Sequence, residues 1–204
     1  MIGTSITVLI PLKVFCIVPI IHDKDNNKSY IYTMEAKKNT PVEDLKHYKP
    51  LVSKESVEKN KRNIKFIAIH CAATKPSMEV PISRITKWHV KRGFRTVGYH
   101  YYIRRDGSLE LGRPIDETGA HVKDFNSVSI GICYEGGINE NGEPSDNRTE
   151  MQLKTMIKLL IELGAEYPKA VIKGHRDFPK VYKACPSFDV REWCEFFEIE
   201  HNQI

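Results

Sequence analysis

From Ile64 onward the sequence predicts an α/β fold, a central mixed β-sheet covered by helices. Three observations predict it. Phe66-Ile67-Ala68-Ile69 is an unbroken apolar run, the pattern of a strand buried on both faces. Thr149-Glu150-Met151-Gln152 reads as a capping box, and Leu153, Met156, Ile157, Leu160 and Leu163 behind it fall on one helical stripe. Strand-like and helix-like segments alternate around these two landmarks, as they do where helices cover a sheet.

The remaining elements follow in order. A helix is expected over residues 83–92, opened by Ser83 and closed at Gly93. Tyr99 to Arg104 reads as a strand, with Asp106-Gly107 as the turn after it. Val128 to Tyr134 is a further strand, and Ala170-Val171-Ile172 a short final one.

Residues 1–60 are of different character. Val14 to Ile21 is rich in β-branched residues and runs into the polar cluster 22–27; Ser29 to Thr33 then reads as a second strand, so a β-hairpin is expected. Residues 41–62 are polar and rich in Lys and Glu, a linker or a solvated helix. The expected division is an accessory segment, 1–60, and a principal domain, 61–204. Thr4 to Ile21 comes nearest to a membrane span, but Pro11, Lys13 and Pro19 interrupt it. The stretch before Lys13 carries no Lys or Arg, so no secretory signal is expected.

With 41% hydrophobic and 28% charged residues, the 204-residue chain falls among soluble globular proteins. Its net charge of +5 is a mild excess, and no basic motif interleaved with aromatics accompanies it, so nucleic-acid binding is not expected. Five cysteines, an odd number spread along the chain, do not read as a disulfide framework. Cys16, Cys71 and Cys133 sit in apolar runs and read as buried thiols.

Chemistry-bearing residues gather at the strand ends. His70 ends the first apolar strand and His175 follows the last, and ligands of open α/β sheets collect beyond the carboxyl ends of strands. Cys185, held by Pro186, lies a short loop beyond His175. Two imidazoles and a thiolate would give a zinc ion three protein ligands and an open fourth position, the pattern of a catalytic site. On spacing alone the plainer alternative stays open: a histidine serving the backbone and a cysteine serving the core. Tyr99 and Lys183 are the candidates to act on a water and on an oxyanion beside that ion, with a core-edge tyrosine and a solvated lysine as the plainer alternatives.

Six segments together resemble a known family. They are Ile69 to Thr74, Gly98 to Gly107, Gly119-Ala120-His121, Ser129 to Cys133, Gly174-His175-Arg176-Asp177 and Lys183 to Asp189. In this order they look like the type 2 N-acetylmuramoyl-L-alanine amidases, most of all the phage lysozyme-type members. The animal peptidoglycan recognition proteins share that fold. The resemblance covers about residues 64–193 and makes 61–204 the catalytic domain. It implies one zinc per chain held by His70, His175 and Cys185, with Tyr99 on the attacking water and Lys183 stabilising the transition state. It places His121 in the substrate groove. Arg176-Asp177 departs from the phage members and matches others of the family. The implied substrate is peptidoglycan or a soluble muropeptide, cut between muramic acid and L-Ala by a monomer with no membrane span, acting on the bacterial cell wall.

Two other readings compete. A binding module of the same fold would hold peptidoglycan without cutting it, commonly having lost the cysteine ligand; Cys185, Tyr99 and Lys183 are all present here. A thiol hydrolase would use Cys71 or Cys185 with a histidine. Cys71 adjoins His70, but neighbours on a strand point to opposite faces.

Overall fold

The computed structural model describes residues 20–23, 28–31, 51–197 and 199, and the chain divides into two compact units, Met1–Tyr48 and Lys49–Ile204. In the first unit β1 (Ile20–Asp23) pairs antiparallel with β2 (Lys28–Ile31), Ile20 opposite Ile31. The rest of the stretches expected as strands, 14–19 and 32–33, lies outside the described residues, as does Cys16.

The second unit is built on a five-stranded sheet in the order β5-β4-β6-β3-β7. Its strands are β3 (Phe66–Cys71), β4 (Tyr101–Ile103), β5 (Leu109–Leu111), β6 (Ser129–Tyr134) and β7 (Val171–Gly174). β3 runs parallel to both β6 and β7, β4 runs parallel to β6, and only β5 is antiparallel, so the sheet is mixed as expected. Every residue of β3 and β6 is buried, which is why both read as continuous apolar runs. The helices are α1 (Lys54–Lys59), α2 (Ile82–Lys91), α3 (Glu150–Glu166) and α4 (Val190–Phe196). Tyr102 and Cys133 pack with Ile85 of α2 in one apolar cluster. Met156, Leu160 and Leu163 of α3 are likewise buried.

The Thr149 capping box is present: Thr149 Oγ1 accepts from Gln152 N at 3.1 Å and Gln152 Oε1 from Thr149 N at 3.0 Å. The buried Gln152 amide also donates to the carbonyls of Ile103 and Glu135, at 3.2 and 2.8 Å, tying the helix start to the ends of β4 and β6. Other boundaries moved for tertiary reasons. α2 starts at Ile82 with Pro81 as its cap, not at Ser83; Glu110 Oε2, from β5, accepts Ile82 N at 2.6 Å in place of a side-chain cap. Gly93 does end it, at φ +87°. Tyr99 precedes β4 rather than starting it, and Val128 closes a 3-10 turn before β6. β5 and α4 have no counterpart in the sequence expectations.

Residues 51–60 lie with the second unit, whereas the sequence division fell after 60. Glu162 of α3 accepts Leu51 N and Val52 N at 2.7 and 2.8 Å, Asn60 Nδ2 donates to Tyr167 Oη at 3.0 Å, and Val52 is buried. A chain beginning at Lys49 should therefore keep the thermal stability of this unit, while one beginning at Lys61 should lose on the order of 2–5 kcal/mol, from charge-assisted hydrogen bonds and one buried valine. That is a fall of about 5–15 °C in Tm for a domain of this size. Calorimetry of the two truncations checks it; equal melting temperatures would place 51–60 outside the cooperative unit.

Candidate metal centre and active site

Parallel register brings the site together. Ile69 of β3 pairs with Gly174 of β7, so the residues that follow, His70 and His175, emerge side by side at the carboxyl ends of neighbouring strands. Their ring centroids are 4.5 Å apart. Arg176 N donates to Cys185 O at 2.8 Å, closing the loop that returns Cys185 to the two histidines. One ligand atom from each of His70, His175 and Cys185 lies within 4.8 Å of the others. Tyr134 Oη donates to Pro186 O at 2.6 Å and Ser187 Oγ to Gly137 O at 2.7 Å, anchoring the segment behind the cysteine.

This donor set fits a zinc ion in type, number and spacing. Cys185 Sγ accepts the Cys71 N–H at 3.3 Å and faces His70 Nδ1 at 3.9 Å. The neighbouring Cys71 and burial hold the Cys185 thiol up, while Cys185 draws Cys71 down to about 7; a zinc ion would reverse this order at Cys185 by stabilising its thiolate. Burial, together with the His121 and His175 rings and the Lys183 charge, pushes His70 well down, and burial with Lys183 brings His175 to about 4. Both imidazoles are thus neutral and able to give lone pairs.

Tyr99 and His121 pack beside His70. The Tyr99 ring lies 5.1 Å from that of His70. Burial pushes the Tyr99 phenol far up, so it keeps its proton. Lys183 is exposed, and its charge is felt at both His70 and His175. His121 is buried, with its ring edge-on to His70 and Nδ1 3.1 Å from His70 Nε2. Cys71 and Cys133 are buried, and Cys71 Sγ lies 3.7 Å from Ser187 Oγ.

Several contributors were not assigned a role from the sequence. Ser129 Oγ sits 3.4 Å from His121 Nε2. A Cβ at Gly131 would lie 2.7 Å from the His121 ring, so that strand position requires glycine. Behind them His100 Nδ1 accepts Gly131 N at 2.9 Å, leaving Nε2–H to donate to Glu117 O at 3.0 Å. Arg62 fastens the carbonyls of Ile115 and Ser129. Gly98 to Gly107 and Ser129 to Cys133 were read for strands and for family resemblance, and Arg62 only as part of a charged stretch.

His100 and His89, outside the metal cluster, contribute a pH dependence. Burial holds His100 and His89 down, each to about 4, against an ordinary value of 6.5. Between those values the unfolded chain binds protons that the folded protein does not, so stability rises with pH through that window. The contribution should be complete above pH 6.5 and lost as pH falls toward 4. It amounts to ~3 kcal/mol for the deeply enclosed His100 and less for His89. Urea denaturation at stepped pH measures it; a profile unchanged by His100→Gln would show that His100 is not its source.

A mixed sheet with two histidines and a cysteine meeting at its carboxyl edge, and a tyrosine ring beside them, has a donor set suited to metal-assisted hydrolysis. The family model described as N-acetylmuramoyl-L-alanine amidase matches residues 60–188, and the chain belongs to that family and is an amidase. An endolysin of Klebsiella phage KP32 is 46% identical over 133 residues, covering 65% of this chain and 87% of the relative. Among solved structures, the endolysin N-acetylmuramoyl-L-alanine amidase LysCS of Clostridium intestinale URNW superposes with a TM-score of 0.58 at 28% identity, over 68% of this chain and 86% of that one. The Drosophila peptidoglycan recognition protein LB shares the fold, with a TM-score of 0.55 at 22% identity over 71% and 87% of the two chains.

Proposed function

We propose that this amidase is zinc-dependent and hydrolyses the lactyl-amide bond between muramic acid and the L-Ala of the peptidoglycan stem peptide. The observation that carries the reading is the meeting of His70, His175 and Cys185 within 4.8 Å at one end of the sheet. The endolysin relatives and the family description support the substrate class.

His70, His175 and Cys185 would hold the ion and leave one position open. Zinc bound there supplies Lewis acidity, polarising the amide carbonyl and making the attacking water more acidic. Tyr99, protonated at all working pH, offers its hydroxyl to orient that water. Lys183, at the exposed rim, sets its ammonium against the negative charge that develops on the carbonyl oxygen. Among the described residues no helix is long and apolar enough to cross a membrane.

Digestion of purified peptidoglycan followed by mass spectrometry tests the proposal. Expected products are free stem peptides beginning with L-Ala and intact glycan strands, with activity lost to a chelator and restored by zinc. New reducing sugar ends, or cuts within the stem, would overturn the assigned bond; activity indifferent to chelation would overturn the metal.

A further inference from the structure

We propose that His121, backed by Ser129, is a positioning residue that fixes His70 in the tautomer whose Nδ1 is free to bind metal. The inference rests on the zinc reading above and deepens it. Ser129 has one hydroxyl hydrogen, and it goes to Phe125 O at 2.8 Å. Toward His121 Nε2, 3.4 Å away, the same hydroxyl can only accept, so Nε2 bears the proton of that ring. The groups facing His121 are imidazoles, a phenol ring, a hydroxyl and glycine, so a charge on it would be unpaired and the ring is neutral. Its Nδ1 is then a bare lone pair, 3.1 Å from His70 Nε2, and His70 donates from Nε2. One proton per neutral ring leaves His70 Nδ1 unprotonated, and Nδ1 is the atom that faces Cys185 Sγ.

The surroundings hold this order in place. Asn126 Oδ1 accepts both His121 N and Val122 N, at 2.7 and 2.9 Å, and Gly131 admits the ring flat against β6. Both ring nitrogens of His121 are occupied within the fold, which leaves neither for a sugar or peptide. Histidine ligands generally donate their second N–H to a carboxylate, carbonyl or water; here another histidine takes that place.

The test uses the full chain. His121→Leu fills the space without an acceptor, and His121→Asn keeps an oxygen near the Nδ1 position. Zinc affinity is read by competition with a chromophoric chelator. His121→Leu should weaken zinc roughly 10–100-fold, the usual cost of an outer partner of a ligand, and His121→Asn should recover most of it. Nitrogen NMR of the metal-free protein should show both His70 and His121 protonated at Nε2. A parent protein that binds no zinc would defeat the zinc reading itself. Zinc bound by the parent and equally tightly by His121→Leu would defeat this inference alone, as would a His70 protonated at Nδ1. Should His121→Leu fail to fold, Ser129→Ala takes its place: its loss of the acceptor should mix the His121 tautomers and weaken zinc, and unchanged tautomers with unchanged affinity would overturn the proposal.

Discussion

Replacing Cys185 by serine should remove zinc and activity together. A metal ligand must be deprotonated, and a serine hydroxyl is far less acidic than a thiol, so a zinc ion that would draw the proton off Cys185 would not draw it off serine. The loss should exceed the roughly 10–100-fold that an outer-shell change costs, because one of three direct ligands is gone. Cys194→Ser is the control: Cys194 is buried in α4, away from the metal cluster, and its replacement should leave zinc content unchanged. Elemental analysis and chelator competition on the two variants decide the matter. A Cys185→Ser protein with full zinc and full turnover would remove this centre from the account, whereas zinc retained with activity lost would point to a nucleophilic thiol.

Replacing Lys183 by methionine should lower kcat about a hundred- to a thousandfold with little change in KM. Loss of an oxyanion donor costs ~3–4 kcal/mol in the transition state, and the interaction is made mainly as negative charge develops. Lys183 is exposed, so its ammonium is open to an approaching substrate. Zinc should remain bound, since Lys183 supplies no ligand. A lysine that only attracts an anionic substrate would give the opposite pattern, a raised KM, a near-normal kcat and a defect that shrinks at high salt. Steady-state kinetics on a soluble muropeptide at two ionic strengths separates the two.

What was legible in the sequence is what local chemistry determines. Phe66 to Ile69 and Ile130 to Ile132 read as strands because both faces of a central strand are apolar, whatever covers them. Thr149 and Gln152 announced α3 because a capping box is satisfied within one turn. His70 and His175 were legible as strand-end residues, and Cys185, Tyr99 and Lys183 through their motifs. The start of α2 was misplaced because its first amide is satisfied by Glu110, on a strand that the sequence did not disclose. β5 escaped notice because it is a three-residue edge strand with no buried face, and α4 because it is only seven residues long.

The tertiary structure alone decided the arrangement around His70. Which nitrogen of His70 faces Cys185, and what the other nitrogen meets, depends on Ser129, Asn126 and Gly131 lying beside His121. The motif Gly119-Ala120-His121 specifies a histidine and not the direction of its ring. The same holds for residues 51–60, part of a Lys- and Glu-rich stretch that reads as a linker or a solvated helix. Their attachment to α3 runs through two backbone amides and one carboxylate, Glu162. Backbone amides are the same in every sequence, so a contact made by them leaves no trace in residue type; only the folded geometry, which brings chain segments more than a hundred residues apart into hydrogen-bond range, reveals it.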